Sequence, residues 1–479
     1  MWSSCRAEPE ASVRDMRGLK RLARLIWGDE VEPAIRPLLA VGLAGSLGAS
    51  SLWSFMGIWA IDKLGADASA LGVALLVGAC LAAATGYVSG HVSDRVGRKP
   101  VILAGWASLS LYVLLFALVG DSVTLGLVVL SGAGMAGSIG WAATQAMVAD
   151  LVPRERHEAA FASIRVANNL GVVLGPVLGG VLLFVSWRAL FGGVSILSAA
   201  VFVLAWRLLP ERGAFAPESK PERGSFAVVR RDRVFLLFLL STALAYVVYV
   251  AYESVLPISL VDSHGLTPST WGFLVILNPV MVTLFQLRLI KRLVHVPALT
   301  KLVAAMLLMG LPFLLLSLSS ALPVVALVIL IFVVGEMLWV PTSQAIAAGL
   351  APADLRGAYL GAFSSMGAVG FALAPFFGLL VRDAAGDTAM WAFFAGMSII
   401  GAAVGAVAVQ LAYSRRFTGQ PREREGSAAV SSPAPPDLQA EPALVADAAA
   451  AATAGVHGDE HQDGNRHSQP ADPQRSARE

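Results

Sequence analysis

The stretch Gly90-His91-Val92-Ser93-Asp94-Arg95-Val96-Gly97-Arg98-Lys99 decides the fold, because it separates two long apolar runs. The runs cover residues 71–88 and 101–119, and each approaches the length of about 20 residues that a helix needs to cross a bilayer. Two such runs around a short polar loop predict a hairpin of two membrane helices. Pro100 suits the first turn of the second helix, and the cations of the loop place it on the cytoplasmic side.

The composition excludes an ordinary soluble protein. Of the 479 residues, 56% are hydrophobic and 14% are charged, whereas soluble domains carry about 25% charged residues. The net charge of +2 indicates neither a nucleic-acid partner nor an acidic one. Cys5 and Cys80 are the only cysteines, so the sequence predicts no disulfide framework and no thiolate metal site.

Apolar runs of similar length recur along the chain and predict an all-α integral membrane protein with twelve transmembrane helices, called spans 1 to 12. Predicted spans 1 to 6 cover residues 37–61, 69–90, 101–119, 122–148, 159–185 and 188–208. Predicted spans 7 to 12 cover residues 234–258, 270–290, 299–319, 322–348, 356–381 and 387–412. The cation-rich loops all fall on one side of this arrangement. We therefore expect a multi-pass protein of the plasma (inner) membrane with both termini in the cytoplasm.

Polar stretches divide the chain into five segments. Residues 1–34 are predicted to form a cytoplasmic leader with an amphipathic helix, residues 35–209 the first six-helix bundle, and residues 234–413 the second. The cytoplasmic linker 210–233 between the bundles is polar and rich in Pro, Gly and Glu. Residues 414–479 are poor in large apolar side chains, which predicts a disordered cytoplasmic tail.

An internal repeat relates the two predicted bundles. Residues 199 positions apart match at several places in spans 4, 5, 10 and 11, and similar apolar composition alone hardly explains paired prolines and glycines. The matches include Gln145 with Gln344, Pro153 with Pro352, Gly171 with Gly370, Pro176 with Pro375, and Gly179 with Gly378. The sequence therefore predicts two six-helix bundles related by pseudo-twofold symmetry about the membrane normal.

The polar loop resembles a signature of the major facilitator superfamily. The loop between spans 2 and 3 of that family reads G-x-x-x-D-R-x-G-R-K, which is matched here by Gly90, Asp94, Arg95, Gly97, Arg98 and Lys99. An ordinary cytoplasmic loop would explain the cations, but not the aspartate and the two glycines at this spacing. The resemblance implies a transporter whose central site opens alternately to each side. It also implies that the loop aspartate latches the start of span 11 when the inside is closed.

The start of span 11 is the expected partner of Asp94. The repeat places this start near residues 354–356, and the N-terminus of a helix offers backbone N–H groups to a carboxylate. Arg356 lies in the same start, so we also expect Asp94 to approach Arg356. The resemblance implies that Arg98 belongs to the surrounding charge network.

Span 5 carries a second motif, in which glycines recur beside a proline. It consists of Gly171, Gly175, Pro176, Gly179 and Gly180, and glycines four positions apart let two helices approach closely. The motif resembles the family's span-5 pattern G-x-x-x-G-P-x-x-G-G, which marks antiporters. With this motif, the sequence resembles more specifically the twelve-helix drug:proton antiporter branch of the family. A tight helix–helix seam without directional meaning is the alternative interpretation.

Two acids at membrane depth are candidates for proton coupling, Glu336 in span 10 and Glu253 in span 7. Burial disfavours the charged form of a carboxyl group, which allows it to bind and release protons near neutral pH. The drug:proton branch carries acids in similar segments. The alternative for Glu253 is a solvated acid at the rim of the site. The alternative for Glu336 is a structural partner of a buried donor.

Arg165 and Asp150 complete the predicted proton-coupling set. Arg165 is the only cation well inside the first bundle and requires a nearby anion or a polar cavity. Asp150, at the inner end of span 4, is a candidate partner. Asp150 could equally pair locally with Arg154 or Arg156.

Polar and aromatic side chains deep in the spans are candidates for lining a substrate cavity, namely Trp141, Asn169, Tyr249, Tyr252, Asn278 and Trp339. Aromatic faces there could hold a planar or cationic substrate, and packing in the core is the competing interpretation for each ring. The sequence has no nucleotide-binding signature and no nucleophile–base pair. We therefore expect no enzyme activity, no cofactor and no metal site, and an ion gradient as the energy source.

These features favour a secondary active transporter that exports amphipathic or cationic small molecules in exchange for protons by alternating access. The expected partners are a small-molecule substrate, protons and the lipid bilayer, with no nucleic acid, and the expected state is a monomer. One alternative is a proton-coupled nutrient or metabolite symporter on the same fold. Another is a non-transporting membrane receptor or scaffold.

Overall fold

The computed structural model describes residues 32–216, 225–262 and 267–417, and the regular structure of these residues is helical. The predicted amphipathic helix of the leader lies outside the described residues, as does the predicted disordered tail 414–479 from residue 418 onward. The prediction is wrong for residues 414–417, which continue helix Arg356–Phe417. Within the described residues, ten helical stretches are long and apolar enough to cross a membrane. The predicted all-α membrane architecture is confirmed.

The first six spans occur in the predicted order. Span 1 is helix Arg36–Ile58 with a π-helical turn at Trp59–Lys63, span 2 is Ala68–Val96, span 3 is Arg98–Leu118, span 4 is Val123–Ser138 followed by Trp141–Leu151, span 5 is His157–Leu183, and span 6 is Trp187–Leu208. Short 3₁₀ turns at Pro33–Ile35 and Arg154–Arg156 precede spans 1 and 5.

The second six spans follow the same plan. Span 7 is Arg233–Asp262, span 8 is Pro268–Val275 followed by Leu277–Arg292, span 9 is Ala298–Gly310 with a 3₁₀ turn at Leu311–Ser317, and span 10 is Leu322–Leu350. A 3₁₀ turn at Ala353–Leu355 leads into helix Arg356–Phe417, which contains spans 11 and 12. A short helix, Ser225–Arg231, lies within the predicted linker.

Helix Arg356–Phe417 folds back on itself at Gly386. Its 62 residues would reach about 93 Å if straight, far more than the roughly 30 Å of the hydrocarbon core. Gly386 has a φ of 82°, a left-handed conformation that glycine adopts without strain. Beyond it the chain returns, so that the rings of Phe377 and Phe393 lie 6.4 Å apart. When this helix is counted as two spans and the interrupted span 8 is added, the described chain is consistent with twelve spans.

Span 5 packs against span 1 through the glycines of its motif. A Cβ atom placed on Gly171 would lie 2.6 Å from a backbone oxygen of span 1, and one on Gly175 would lie 2.5 Å from Ser50 Cβ. Only glycine therefore permits this helix separation. Ser50 Oγ donates a hydrogen bond of 3.0 Å to the carbonyl oxygen of Val172, which Pro176 leaves without its partner in the helix. The motif thus forms a tight seam, and its meaning for transport direction stays a prediction.

The second bundle repeats this packing. A Cβ atom on Gly370, the repeat partner of Gly171, would lie 2.6 Å from the carbonyl oxygen of Tyr246 in span 7. Spans 11 and 7 therefore approach each other as closely as spans 5 and 1. This agreement between sequence offset and packing supports the internal duplication.

Replacing Gly175 with alanine should lower the thermal stability of the protein, whereas the same change at Gly180 should not. The added methyl group at Gly175 meets span 1, and such overpacking typically costs about 1–3 kcal/mol. Nothing lies within 4 Å of a Cβ on Gly180, and alanine has the higher helix propensity. Thermal unfolding of the two variants in the same detergent tests the seam. Equal Tm values for Gly175→Ala and Gly180→Ala would contradict it.

Candidate functional site

An ion pair between Arg165 and Glu336 joins the two bundles. Arg165 Nη2 on span 5 donates to Glu336 Oε1 near the middle of span 10, and Asn278 Nδ2 on span 8 donates to Glu336 Oε2. The Glu336 side chain is 1% exposed. A carboxylate at this depth is tolerated only when its oxygens are paired. Both oxygens are occupied here, one by each bundle.

Glu253 lies near this ion pair, on span 7. Its side chain is exposed and follows Tyr249 by one helical turn. Glu253 and Glu336 are close enough for their charges to interact. The site therefore combines one buried, fully paired carboxyl group with a second acid, on a residue that keeps exposed surface. The structure brings together three of the four residues that the sequence predicts for proton coupling.

Two of the predicted cavity residues are packed in the core of the second bundle instead. Trp339 and Tyr252 are 1% and 2% exposed. Trp339 meets Tyr246 edge-on at a centroid distance of 4.9 Å, and Tyr252 stacks on Phe332 at 4.4 Å. The prediction that they line an accessible cavity is wrong in this conformation, because aromatic rings of spans 7 and 10 pack against each other.

The other predicted cavity residues keep part of their surface accessible. Tyr249, Asn169 and Asn278 are half-buried, and Trp141 is exposed. Asn169 Nδ2 donates a 3.0 Å hydrogen bond to the backbone oxygen of Arg165. Both asparagines therefore contact residues of the ion pair, and contact between these side chains and a substrate stays a prediction.

Asp150 pairs with arginines from both bundles. Its Oδ2 accepts a 3.0 Å bond from Arg98 Nε on span 3, and its Oδ1 accepts a 2.6 Å bond from Arg356 Nη1 on span 11. The predicted pair with Arg165 is wrong, since Arg165 pairs with Glu336. The local alternative on the segment after span 4 is not the observed pairing either. Asp150 therefore belongs to a charge network at the end of the spans, separate from the Glu336 cluster.

Asp94 binds the start of span 11, as the sequence predicts. Its Oδ1 and Oδ2 accept hydrogen bonds of 2.8 Å from the backbone N–H groups of Gly357 and Ala358. The first N–H groups of a helix have no partner within it, so the carboxylate satisfies two of them across the interface between the bundles. Arg98 Nη1 also donates to Asp94 Oδ1. One arginine thereby connects Asp94 to Asp150.

Arg356 does not form the predicted contact with Asp94. Its Nη1 binds Asp150 and also donates to the backbone oxygens of Ala149 and Phe215, at 3.2 and 3.0 Å. The reason is local, because Asp94 reaches the backbone of the two residues that follow Arg356 and leaves its side chain free for the end of span 4. Arg356 joins the same network through Asp150.

Two glycines of the loop meet structural requirements. A Cβ atom on Gly90 would lie 2.2 Å from the carbonyl oxygen of Gly357, so spans 2 and 11 touch through their backbones. Gly97 has a φ of 103° at the turn between spans 2 and 3, a conformation that other residues rarely adopt. These contacts explain why the loop needs glycine at both places.

The remaining cations of the loop lie outside the network between the bundles. Lys99 forms a 2.8 Å ion pair with Glu211, whose side chain is 78% exposed. Arg95 is exposed. Of the three loop cations, Arg98 is therefore the one that contributes to the contact between the bundles.

A third link between the bundles was not predicted from the sequence. Glu158, in the first turn of span 5, forms an ion pair with Lys301 of span 9 and accepts a 2.6 Å hydrogen bond from Thr342 Oγ1 of span 10. The repeat carries a signal for it, because Glu158 precedes Gly357 by 199 positions. The starts of spans 5 and 11 are thus equivalent, and each is held by the opposite bundle.

These links close one end of the molecule, which we call the Asp94 end because it carries Asp94, Asp150 and Glu158. The Asp94 and Asp150 side chains are 0% and 2% exposed. Separating the bundles here would remove the span-11 partners of both carboxylates and leave them with Arg98 of their own bundle. This arrangement can therefore act as a closure that opens only when its charges regain water or other partners.

Comparison with known proteins identifies the family to which this chain belongs. A family model described as the Major Facilitator Superfamily matches residues 38–375. The chain belongs to the major facilitator superfamily. Proteins of this superfamily are multi-pass membrane transporters, and the helical architecture of the described residues agrees with that assignment.

Several relatives within the superfamily carry names that refer to transport. The chain is 26% identical over 365 residues to a Na(+), Li(+), K(+)/H(+) antiporter of Planococcus maritimus, covering 68% of this chain and 85% of that protein. It is 27% identical over 335 residues to the multidrug resistance protein MdtH of Shigella dysenteriae, covering 67% of this chain and 79% of that protein.

Two solved structures share the fold. One is a bacterial homologue of the iron transporter ferroportin in an outward-facing state, with a TM-score of 0.64 and 18% identity, covering 80% of this chain and 100% of that one. The other is the human organic anion transporter MFSD10, with a TM-score of 0.62 and 19% identity, covering 78% of this chain and 100% of that one. At these sequence identities the comparison shows a shared fold and nothing about substrate.

Proposed function

We propose that this superfamily member exports amphipathic or cationic small molecules in exchange for protons. The observation that carries the proposal is the buried carboxylate of Glu336, which Arg165 binds from the opposite bundle. Protonation would neutralise Glu336 and weaken this ion pair. Proton binding would thereby be linked to the contact between the bundles, which is what alternating access requires.

Glu253 supplies the second part of the proposed exchange. Its exposed carboxylate can attract a cationic substrate to the neighbourhood of Glu336, and the accessible face of Tyr249 can pack against an apolar or cationic group. A substrate cation and a proton would then compete for the same pair of acids. Competition of this kind produces exchange, since one ligand must leave before the other binds.

The closure at the Asp94 end supplies the gate in this proposal. We place this end in the cytoplasm because its loops carry the excess of cations, which also assigns both termini to the cytoplasm. In the observed conformation the site would then be closed to the inside. We further propose that the protein acts as a monomer in the plasma (inner) membrane, with no nucleic acid among its partners.

Exchange of alkali cations for protons is a second candidate function. Oxygen atoms from two carboxyl groups, the amide of Asn278 and the hydroxyl of Tyr249 occur in the same region, and oxygen ligands suit hard cations such as Na⁺. A relative with 26% identity bears the name of a Na(+), Li(+), K(+)/H(+) antiporter. Both candidates use the same acids and differ in the cation exchanged.

Transport by purified protein in proteoliposomes tests both candidates. Vesicles that are acidic inside should take up a lipophilic organic cation, and their internal pH should rise as protons leave. Replacing the organic cation by Na⁺, Li⁺ or K⁺ tests the second candidate. Uptake driven instead by an acidic outside would identify a symporter. No substrate-dependent proton flux with any of these cations would contradict the proposed function.

A further inference from the structure

The tenth span carries a proline beside its functional acid. Pro341 lies inside helix Leu322–Leu350, and proline has no N–H group to donate. The carbonyl oxygen of Met337, four residues earlier, is therefore left without its helical partner. Met337 is 0% exposed, so bulk water does not reach it. A buried carbonyl group in this position requires another donor.

Gln286 of span 8 provides that donor. Its Nε2 donates a 2.7 Å hydrogen bond to the oxygen of Met337, and the Gln286 residue is 0% exposed. Its own Oε1 has no partner among the described residues. A buried amide with one unpaired atom is unfavourable in itself, and the bond to Met337 offsets part of this cost by satisfying the carbonyl group that Pro341 leaves without a donor.

Span 8 holds the Glu336 turn at two points. Asn278 donates to the carboxylate of Glu336, and Gln286 donates to the backbone of the next residue. Residues eight positions apart lie on the same face of a helix. We propose that Gln286 is a positioning residue, which fixes the proline-interrupted turn of span 10 so that the Glu336 carboxylate keeps its place when Arg165 releases it.

The difference between the two kinds of contact supports this role. Arg165 belongs to the opposite bundle, and its bond to Glu336 would break when the bundles move apart. Spans 8 and 10 belong to the same bundle, so the Gln286 bond can persist through that motion. This inference rests on the proposed function, because it assumes that Glu336 binds the driving proton.

A double-mutant cycle tests the bond itself. Replacing Gln286 with leucine should lower the Tm, because the carbonyl of Met337 loses its donor. Replacing Pro341 with alanine restores an N–H group within span 10, so Gln286→Leu should lower the Tm much less in that background. The control is Thr242→Val, since the Thr242 hydroxyl bonds within its own helix, to the backbone oxygen of Phe238. Equal losses of Tm from Gln286→Leu in both backgrounds would overturn the inference.

Amide hydrogen exchange provides a second test of the Gln286 bond, which does not require the Pro341→Ala variant. Peptides that cover residues 330–345 should exchange faster in Gln286→Leu than in the wild type, and Thr242→Val should leave them unchanged. Exchange at the wild-type rate in Gln286→Leu would mean that the Gln286 bond does not hold this turn.

The pH profile of transport separates positioning from mere stability. The charged and titratable groups that face Glu336 are Arg165 on span 5 and Tyr249, Tyr252 and Glu253 on span 7. Gln286→Leu leaves all of them in place. We expect the pH at which exchange is half-maximal to rise by about one unit in this variant. One weakened hydrogen bond to a charged carboxylate disfavours the charged form by about this amount.

The outcomes distinguish this inference from the proposed function. An unchanged pH profile in Gln286→Leu, together with a lowered Tm, would overturn the positioning role and leave a structural bond. Wild-type protein that moves substrate without protons would overturn the proposed function. The Tm cycle would still report whether Gln286 replaces the donor that Pro341 lacks.

Discussion

Replacing Glu336 with glutamine should abolish proton-coupled exchange. The amide retains the shape of the side chain but cannot take up a proton to become neutral, so the step that weakens the contact with Arg165 disappears. It also leaves the guanidinium group of Arg165 without its counter-ion. Breaking a buried ion pair in this way costs about 3–5 kcal/mol. Substrate-dependent pH changes in proteoliposomes and Tm values in detergent measure the two consequences separately.

A double variant separates these consequences further. Arg165→Gln combined with Glu336→Gln removes both charges, so we expect much of the lost Tm to return while exchange stays absent. Glu155→Gln is the matched control, because Glu155 is an exposed acid in the turn before span 5. Exchange by Glu336→Gln with the wild-type pH dependence would show that another group binds the driving proton.

Replacing Asp150 with asparagine should open the Asp94 end. Asp150 neutralises Arg98 and Arg356 at once, and asparagine would leave Arg356 with uncharged acceptors alone, the new amide oxygen and two backbone oxygens. Arg98 would keep Asp94 as its counter-ion, but the buried guanidinium group of Arg356 would lose the carboxylate that neutralises it. The expected loss for the closed form is again about 3–5 kcal/mol, enough to favour the form in which this group reaches water.

Thiol labelling measures the opening. Ser93 is buried at this end, where its hydroxyl accepts a hydrogen bond from Arg98, and cysteine is close to serine in size. In a background without Cys5 and Cys80, a cysteine at position 93 should react faster once Asp150→Asn is added. Glu211→Gln is the control, because its exposed pair with Lys99 contributes at most about 1 kcal/mol. Equal labelling rates with and without Asp150→Asn would contradict the closure.

Local sequence predicts the spans, the position of Asp94 and the seam of span 5. The apolar runs predict the spans, because a helix in lipid must satisfy its backbone internally and bury no unpaired charge. The contact of Asp94 with the start of span 11 follows from the sequence, because a helix start offers unpaired N–H groups and the repeat locates that start. The glycines of span 5 likewise predict a close helix contact, since the spacing alone defines the face that they share.

Pairings across the bundle interface could not be predicted in the same way. Arg165 has a long, flexible side chain that can reach any of several acids, so its pairing with Glu336 depends on how the two bundles are placed relative to each other. The sequence likewise offers Arg154, Arg156 and Arg165 as partners of Asp150, whereas the structure pairs it with Arg98 and Arg356. The link from Glu158 to Lys301 and Thr342 needs residues from three spans, and the repeat marks the start of span 5 without indicating its partners on spans 9 and 10.

The aromatic residues show a different limit to prediction from sequence. The sequence places Trp339 and Tyr252 at a depth in the spans where a substrate cavity could lie. At that depth the same sequence pattern allows a ring to face a cavity or to pack against a neighbouring ring. In this protein the neighbouring rings on spans 7 and 10 decide the outcome. Cavity lining therefore follows from packing in three dimensions.

The backbone contact between Gly90 and Gly357 affects how reproducibly the Asp94 end can shut. Neither residue has a rotamer to immobilise, so bringing these surfaces together restricts almost no side-chain conformational freedom. Each cycle of a transporter would rebuild this part of the seal without searching among rotamers. Val92 and Val96 on the same helix are 42% and 54% exposed, so variation among homologous sequences should concentrate at such positions and spare the two glycines.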